Sequence, residues 1–172
     1  VAKLSNVRLV KETDHAPEAY MRQVVNGTIF TVTGTDFVGR SVKETFTINN
    51  SWKYSVATIN SKEYSYLYYD IKLLPGSYTI KETSSSSCDA SKITTGAGLS
   101  KAISSTTHTD TMTLKINAAG ESYWRVFYNH LKESILYLSK IGSNISSTAS
   151  AANTHKYLDG LQFKIEGKTA LG

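Results

Sequence analysis

Short runs of alternating apolar and polar residues, cut by turn signals roughly every ten residues, constrain this chain more than any other feature. Alternation with a period of two turns one face of a strand inward and the other outward, and that spacing is the spacing of a two-sheet sandwich. Strands are expected at Val7–Lys11, Thr28–Thr33, Val42–Ile48, Lys53–Ile59, Tyr64–Leu73, Tyr78–Glu82, Thr109–Ile116 and Ser122–Asn129. Asn26-Gly27, Asn49-Asn50-Ser51, Asn60-Ser61-Lys62, Pro75-Gly76 and Asn117-Ala118-Ala119-Gly120 supply turns between them. The polar residues 12–23, which include Pro17, read as a loop with a short helical turn near Glu18 to Arg22. The serine-rich run from Ser84 towards Thr107 reads as a long surface connection, part of which can pair at a sheet edge. No helical periodicity extends beyond a few turns, so the expected fold class is all-β.

The balance of 40% hydrophobic and 19% charged residues over 172 positions is that of a globular chain with one good core. The net charge of +5 is spread along alternating strands and forms no basic cluster with aromatics, so no nucleic-acid partner is expected. Cys88 is the only cysteine, which excludes a disulfide framework and a paired-cysteine metal site. His15, His108, His130 and His155 lack ligand spacing, so no metal and no cofactor are expected. Ser84 to Ser87, His108 and His130 offer the residue types of a hydrolase without a nucleophile motif around any of them, and Cys88 lies in a polar stretch without a partner. No stretch is apolar enough to insert in a membrane. The start at Val1 shows neither an initiator Met nor a signal peptide, and the expectation is a mature or excised segment.

Glu82 is the residue that alternation makes hardest to place. Tyr78, Ile80 and Glu82 share a face, so burying the apolar pair carries a carboxyl group inward with it. A lone carboxylate in a core has to be protonated, paired or used in chemistry. The plain alternative is a solvated strand end. Val7, Leu9 and Lys11 form a similar row closed by a lysine, for which solvent or snorkelling is again the plain alternative. Asn129 closes the expected last strand, where an asparagine commonly begins a turn, and Arg125 shares its parity.

Part of this design recurs. Leu136-Tyr137-Leu138-Ser139-Lys140 repeats the lysine-closed row of Val7 to Lys11. After a Ser/Thr/Ala-rich loop from Ser143 to Thr154, Asp159 to Gly167 matches Asn26 to Gly34 in turn, aromatic, β-branched residue and terminal glycine. Two similarities in the same order imply one complete unit at 1–132 and the first strands of a second, truncated copy at 133–172.

Leu9-Val10-Lys11, Leu74-Pro75-Gly76-Ser77-Tyr78-Thr79-Ile80-Lys81-Glu82-Thr83 and Val126-Phe127-Tyr128-Asn129 resemble, in order, the first strand, the PGxYxxxE segment and the last strand of Cna B-type domains. Gly27-Thr28-Ile29-Phe30 resembles the second-strand motif of that family. The resemblance covers residues 7–130 and, as a partial copy, 136–167. The chain departs from the family after Glu82, where an Ala-Pro-x-Gly-Tyr run is common and serines and Cys88 stand here.

The resemblance implies an immunoglobulin-like two-sheet β-sandwich of the Cna B type, the prealbumin-like or reverse immunoglobulin-like domain of Gram-positive adhesins and pilins. It implies a self-formed isopeptide bond between Lys11 and Asn129 assisted by Glu82, with Lys140 as the corresponding lysine of the second unit. Asn117 is the substitute electrophile if the last strands are out of register. One bond formed once makes the protein no enzyme. The implied role is a stalk or shaft module at the cell wall or cell surface, in series with neighbouring domains of a tandem array. No Leu-Pro-x-Thr-Gly sorting signal is present, so anchoring is expected from other sequence. The alternative is an adhesin module that recognises a host protein or glycan through loops or through Tyr64, Tyr66, Tyr68 and Tyr69.

Overall fold

A computed structural model describes residues 3–130, 136–140 and 159–168. The chain divides into two units, Val1–Lys132 with Ala170–Gly172, and Glu133–Thr169. In the first unit the chain forms β1 (Ser5–Asp14), α1 (Glu18–Val25), β2 (Ile29–Asp36), β3 (Ser41–Thr47), β4 (Lys53–Ile59), β5 (Lys62–Leu73) and β6 (Gly76–Thr83). A 3-10 turn (Ala90–Lys92), β7 (Thr94–Gly96), α2 (Leu99–Ser104), β8 (Thr111–Ile116) and β9 (Ser122–Tyr128) complete it.

The strands build two sheets, one in the order β4-β5-β1-β9-β7 and the other β3-β2-β6-β8. The unit is an all-β sandwich. Its first strand lies at the centre of one sheet, antiparallel to β5 and parallel to β9. β6, the strand fed by Pro75-Gly76, lies inside the other sheet between β2 and β8. Tyr78, Ile80 and Glu82 are buried while Thr79 and Lys81 are not, as their alternation requires.

The inward faces of both sheets meet over Val7, Leu9, Phe30, Val32, Leu67, Ile80, Leu114 and Phe127. Aromatic rings fill the centre: Phe30 lies 5.5 Å from Trp52 and 5.1 Å from Phe127, centroid to centroid. Trp52 also stacks on Tyr69 at 5.6 Å. Tyr69 therefore belongs to the core side, whereas Tyr66 and Tyr68 lie together on the outer side with Trp124.

Two departures from expectation matter for the site. The segment after Glu82 is not a plain surface connection, because Cys88, Ile93 and Ala102 are buried and β7 pairs with the edge of β9. α2 lies so close over β7 that a Cβ on Gly96 would meet Ala102 N at 2.5 Å, and Thr94 Oγ1 donates to Ala102 O at 2.7 Å. This second layer covers the outer face of its sheet with Val10, Ala102, Val126 and Tyr128, so β1 is buried on both sides. Cys88 is a core residue and not part of an exposed polar stretch.

In the second unit, Asp159-Gly160 forms the expected turn. Residues 136–140 and 161–168 carry no strand and are exposed, Lys140 among them. The loop expected at Ser143–Thr154 lies outside the described residues.

The two inner strands of the smaller sheet approach closely through glycine. A Cβ on Gly34 would meet Ser77 O at 2.2 Å and Tyr78 Cα at 2.8 Å, both main-chain atoms that cannot swing aside. Gly34→Ala is expected to destabilise the unit by about 1–3 kcal/mol, read as a lower urea midpoint.

Candidate functional site

Three strands deliver one polar side chain each to the same point of the core. Lys11 lies on β1 between Leu67 of β5 and Phe127 of β9. Glu82 lies near the end of β6, paired with Phe30 of β2, and its N–H donates to Asp110 O at 2.8 Å. Asn129 directly follows β9, and its N–H donates to Glu12 O at 3.1 Å, extending the ladder with β1 by one bond. Alternation from Phe127 then turns Asn129 inward. Leu67, Phe127 and Phe30 are fully buried, so every strand neighbour of the site is dry.

Lys11 and Asn129 are 0% exposed and Glu82 is 2% exposed. Lys11 Nζ donates to Asn129 Oδ1. The same nitrogen lies 2.5 Å from Glu82 Oε1. Neither Glu82 oxygen has a hydrogen-bond partner beyond that contact among the described residues. Asn129 Nδ2 donates to Asp89 O at 3.3 Å. Glu82 thus reaches Lys11 and makes no hydrogen bond to the Asn129 amide among the described residues.

An amine, a carboxyl group and a primary amide shut away from water cost several kcal/mol unless they satisfy one another. The cluster does so with a minimum of contacts. Chemically, it sets a nucleophile against an amide, with an acid/base at hydrogen-bond distance from the nucleophile. The amide carbon is one C=O bond, about 1.2 Å, beyond the oxygen that Lys11 touches.

The other residues singled out by sequence fall elsewhere. Asn117 is exposed in the turn between β8 and β9, beyond Ser122, whose register partner Asn6 is five positions before Lys11. Arg125 shares the inward row but bends to the sheet edge, donating to Thr113 O at 3.1 Å and Trp124 O at 2.7 Å. His130 pairs with Asp14 at 2.9 Å, and His15 lies 3.5 Å from Glu63. No cluster of three or more His, Cys, Asp or Glu fit for a metal occurs among the described residues. Ser65 approaches His15 at 3.2 Å, but it is fully buried and its hydroxyl is engaged by both main-chain groups of Ala16. On the outer face, Arg8 covers the rings of Tyr68 and Trp124 at 4.1 and 5.1 Å while paired to Asp70.

Sequence reasoning missed two groups. The Asp89 carbonyl is main chain and carries no residue signal. Glu12 is on the opposite face of β1 from Lys11, a face that alternation assigns to solvent, yet it is fully buried. Neither of its oxygens has a hydrogen-bond partner among the described residues.

Comparison with known proteins yields no matching family model, no matching curated protein and no matching solved structure.

Burial pushes the Glu12 carboxyl up to about 8, Asp14 adding to the rise and Lys11 opposing it. A raised carboxyl favours the folded state fully below its unfolded value, and that contribution fades as pH rises through the folded value. Stability should therefore fall between about pH 5 and about pH 8. Glu12→Gln, which stays neutral, should flatten that slope in urea titrations of the Lys11→Ala background.

Proposed function

We propose that the first unit is an immunoglobulin-like sandwich of the Cna B type that joins Lys11 to Asn129 through an isopeptide bond, with Glu82 as acid and base. The unit then serves as a stalk or shaft module of a Gram-positive adhesin or pilin, outside the cell and in series with similar domains. The observation that carries this reading is the convergence, in one dry pocket, of a lysine and an asparagine 118 residues apart with a carboxyl group 2.5 Å from the amine.

Transfer of one proton from Lys11 to Glu82 leaves a neutral amine and a neutral acid, the pair that an apolar pocket tolerates best. The free pair on Nζ attacks Cγ of Asn129, and the oxygen takes up the displaced charge. A second proton passes from Nζ through Glu82 to Nδ2, the Cγ–Nδ2 bond breaks, and ammonia leaves. The new bond is an amide, and Glu82 ends as the neutral acid. No oxidant or cofactor enters the balance. A primary amide is a poor electrophile, so the rate has to come from proximity, for which effective molarities of about 10⁵ M and above are known. The reaction occurs once per chain, which is why the protein is not read as an enzyme.

The topology gives the bond a mechanical use. β1 and β9 are parallel neighbours, and the tie joins the far end of β1 to the residue after β9. Tension entering along β1 and leaving after β9 shears the two strands in opposite directions. With the bond in place that tension crosses from Lys11 to Asn129 and leaves the chain between them unloaded. In a chain whose only cysteine is a core thiol, the bond takes the part that disulfides take elsewhere.

Intact mass tests the reading. The folded chain should weigh one ammonia less than its sequence, and Lys11→Ala or Glu82→Ala should restore the full mass. Loss of the bond should also lower stability by roughly 4–5 kcal/mol, the chain-entropy value for a loop of this length, read from denaturant unfolding. A folded wild-type chain of unreduced mass would refute the cross-link.

A further inference from the structure

The segment that departs from the Cna B-like pattern after Glu82 is the segment that touches the amide of Asn129. The contact is the main-chain oxygen of Asp89, which accepts from Asn129 Nδ2 at 3.3 Å. That oxygen is held from several sides. Lys92 N–H donates to it at 3.1 Å, closing the 3-10 turn. The Asp89 carboxylate accepts from the Ser91 N–H at 3.0 Å and from the Ser91 hydroxyl at 2.7 Å. One residue earlier Cys88 is seated in the core, its N–H bonded to Ser85 O at 3.2 Å. Ser85 in turn donates to Val24 O at the end of α1. On the far side Ile93 is buried, and its carbonyl accepts from Thr109 N–H at 2.9 Å.

A carbonyl oxygen has two acceptor sites and no donor. Lys92 takes one site on Asp89 O, and Asn129 takes the other. Turning the Asn129 amide by half a turn would set its NH₂ against the donors of Lys11 and its oxygen against Asp89 O. Both contacts would then repel, so only one orientation is satisfied at both ends.

We infer that the Asp89 main-chain carbonyl is the positioning group for the condensation of Lys11 with Asn129, an inference that rests on the cross-link proposed above. It fixes the amide with its oxygen towards Lys11 and its nitrogen towards the loop. It also keeps an acceptor beside that nitrogen as the Nζ–Cγ bond forms and the Cγ–Nδ2 bond breaks. The second proton lost by Nζ reaches Nδ2 through Glu82, and the departing ammonia still has a hydrogen-bond acceptor at the loop.

The test weakens that acceptor while keeping every side chain. The full chain is assembled by ligation at Cys88 with Ala90 replaced by its α-hydroxy acid, so that the carbonyl of residue 89 becomes that of an ester, a poorer acceptor. An all-amide chain made the same way and an Asp89→Ala chain, which frees the turn, accompany it. Each is folded from denaturant for the first time, and loss of ammonia is followed by intact mass. The ester and Asp89→Ala are expected to slow that loss about five- to tenfold, the value of one ordinary hydrogen bond. In the Lys11→Ala background the ester should keep the urea midpoint of Lys11→Ala alone, whereas Asp89→Ala, which also loses both bonds from Ser91, is expected to lower it. An ester chain that loses ammonia at the all-amide rate would overturn the positioning role and leave the cross-link standing. Slower loss from the ester chain with an equally depressed midpoint in the Lys11→Ala background would overturn it in favour of a structural role for the loop. No loss from the all-amide chain would overturn the cross-link and this inference together.

Discussion

The lysine nitrogen at the centre of β1 has no route to water, and the rest of the first unit can be understood as the set of groups that make this tolerable. Lys11 is flanked within its sheet by Leu67 and Phe127, and its partners come from outside β1, Glu82 across the sandwich and Asn129 from the end of the neighbouring strand. Neither sheet alone assembles the cluster. The polar groups can be buried only when both sheets close, and burial is the condition under which an amine beside a carboxyl group becomes a nucleophile. Folding and the proposed chemistry therefore share one requirement, the exclusion of water by Phe30, Leu67 and Phe127.

The same arrangement explains why so few contacts hold the site. A buried pair kept only for stability would be expected to carry further hydrogen bonds on its carboxylate, since a buried ion pair seldom repays its desolvation without them. Glu82 has none beyond Lys11 among the described residues. The proposed reaction asks this carboxyl group to take up a proton and hand it on. The structural cost falls on the core, and the proposed covalent bond offsets it by closing a loop between the first and last strands of the sandwich.

Much of this was legible in the sequence, for a physical reason. Strand alternation is a geometric property of the backbone, so Tyr78, Ile80 and Glu82 had to share a face, as did Val7, Leu9 and Lys11, and in the structure both rows point inward. What alternation cannot supply is the covering of the second face. Val10 is buried because α2, seated on β7 at the edge of their sheet, packs over its outer face, and that helix comes from a polar run whose apolar residues, among them Leu99, Ala102 and Ile103, are too sparse to show a period. The Asp89 carbonyl was out of reach altogether, because any residue type carries the same group. Lys140 has the sequence context of Lys11 but is exposed and without strand partners among the described residues.

The central claim is a covalent bond between two named atoms, and proteolysis reads it directly. In a tryptic digest of the folded wild-type chain, the account predicts a branched species in which residues 9–22, uncut after Lys11, are joined to residues 126–132, with the mass of the two peptides less one ammonia and fragment ions that place the branch on Lys11 and Asn129. Separate peptides 9–11, 12–22 and 126–132, with no branched species, would contradict it.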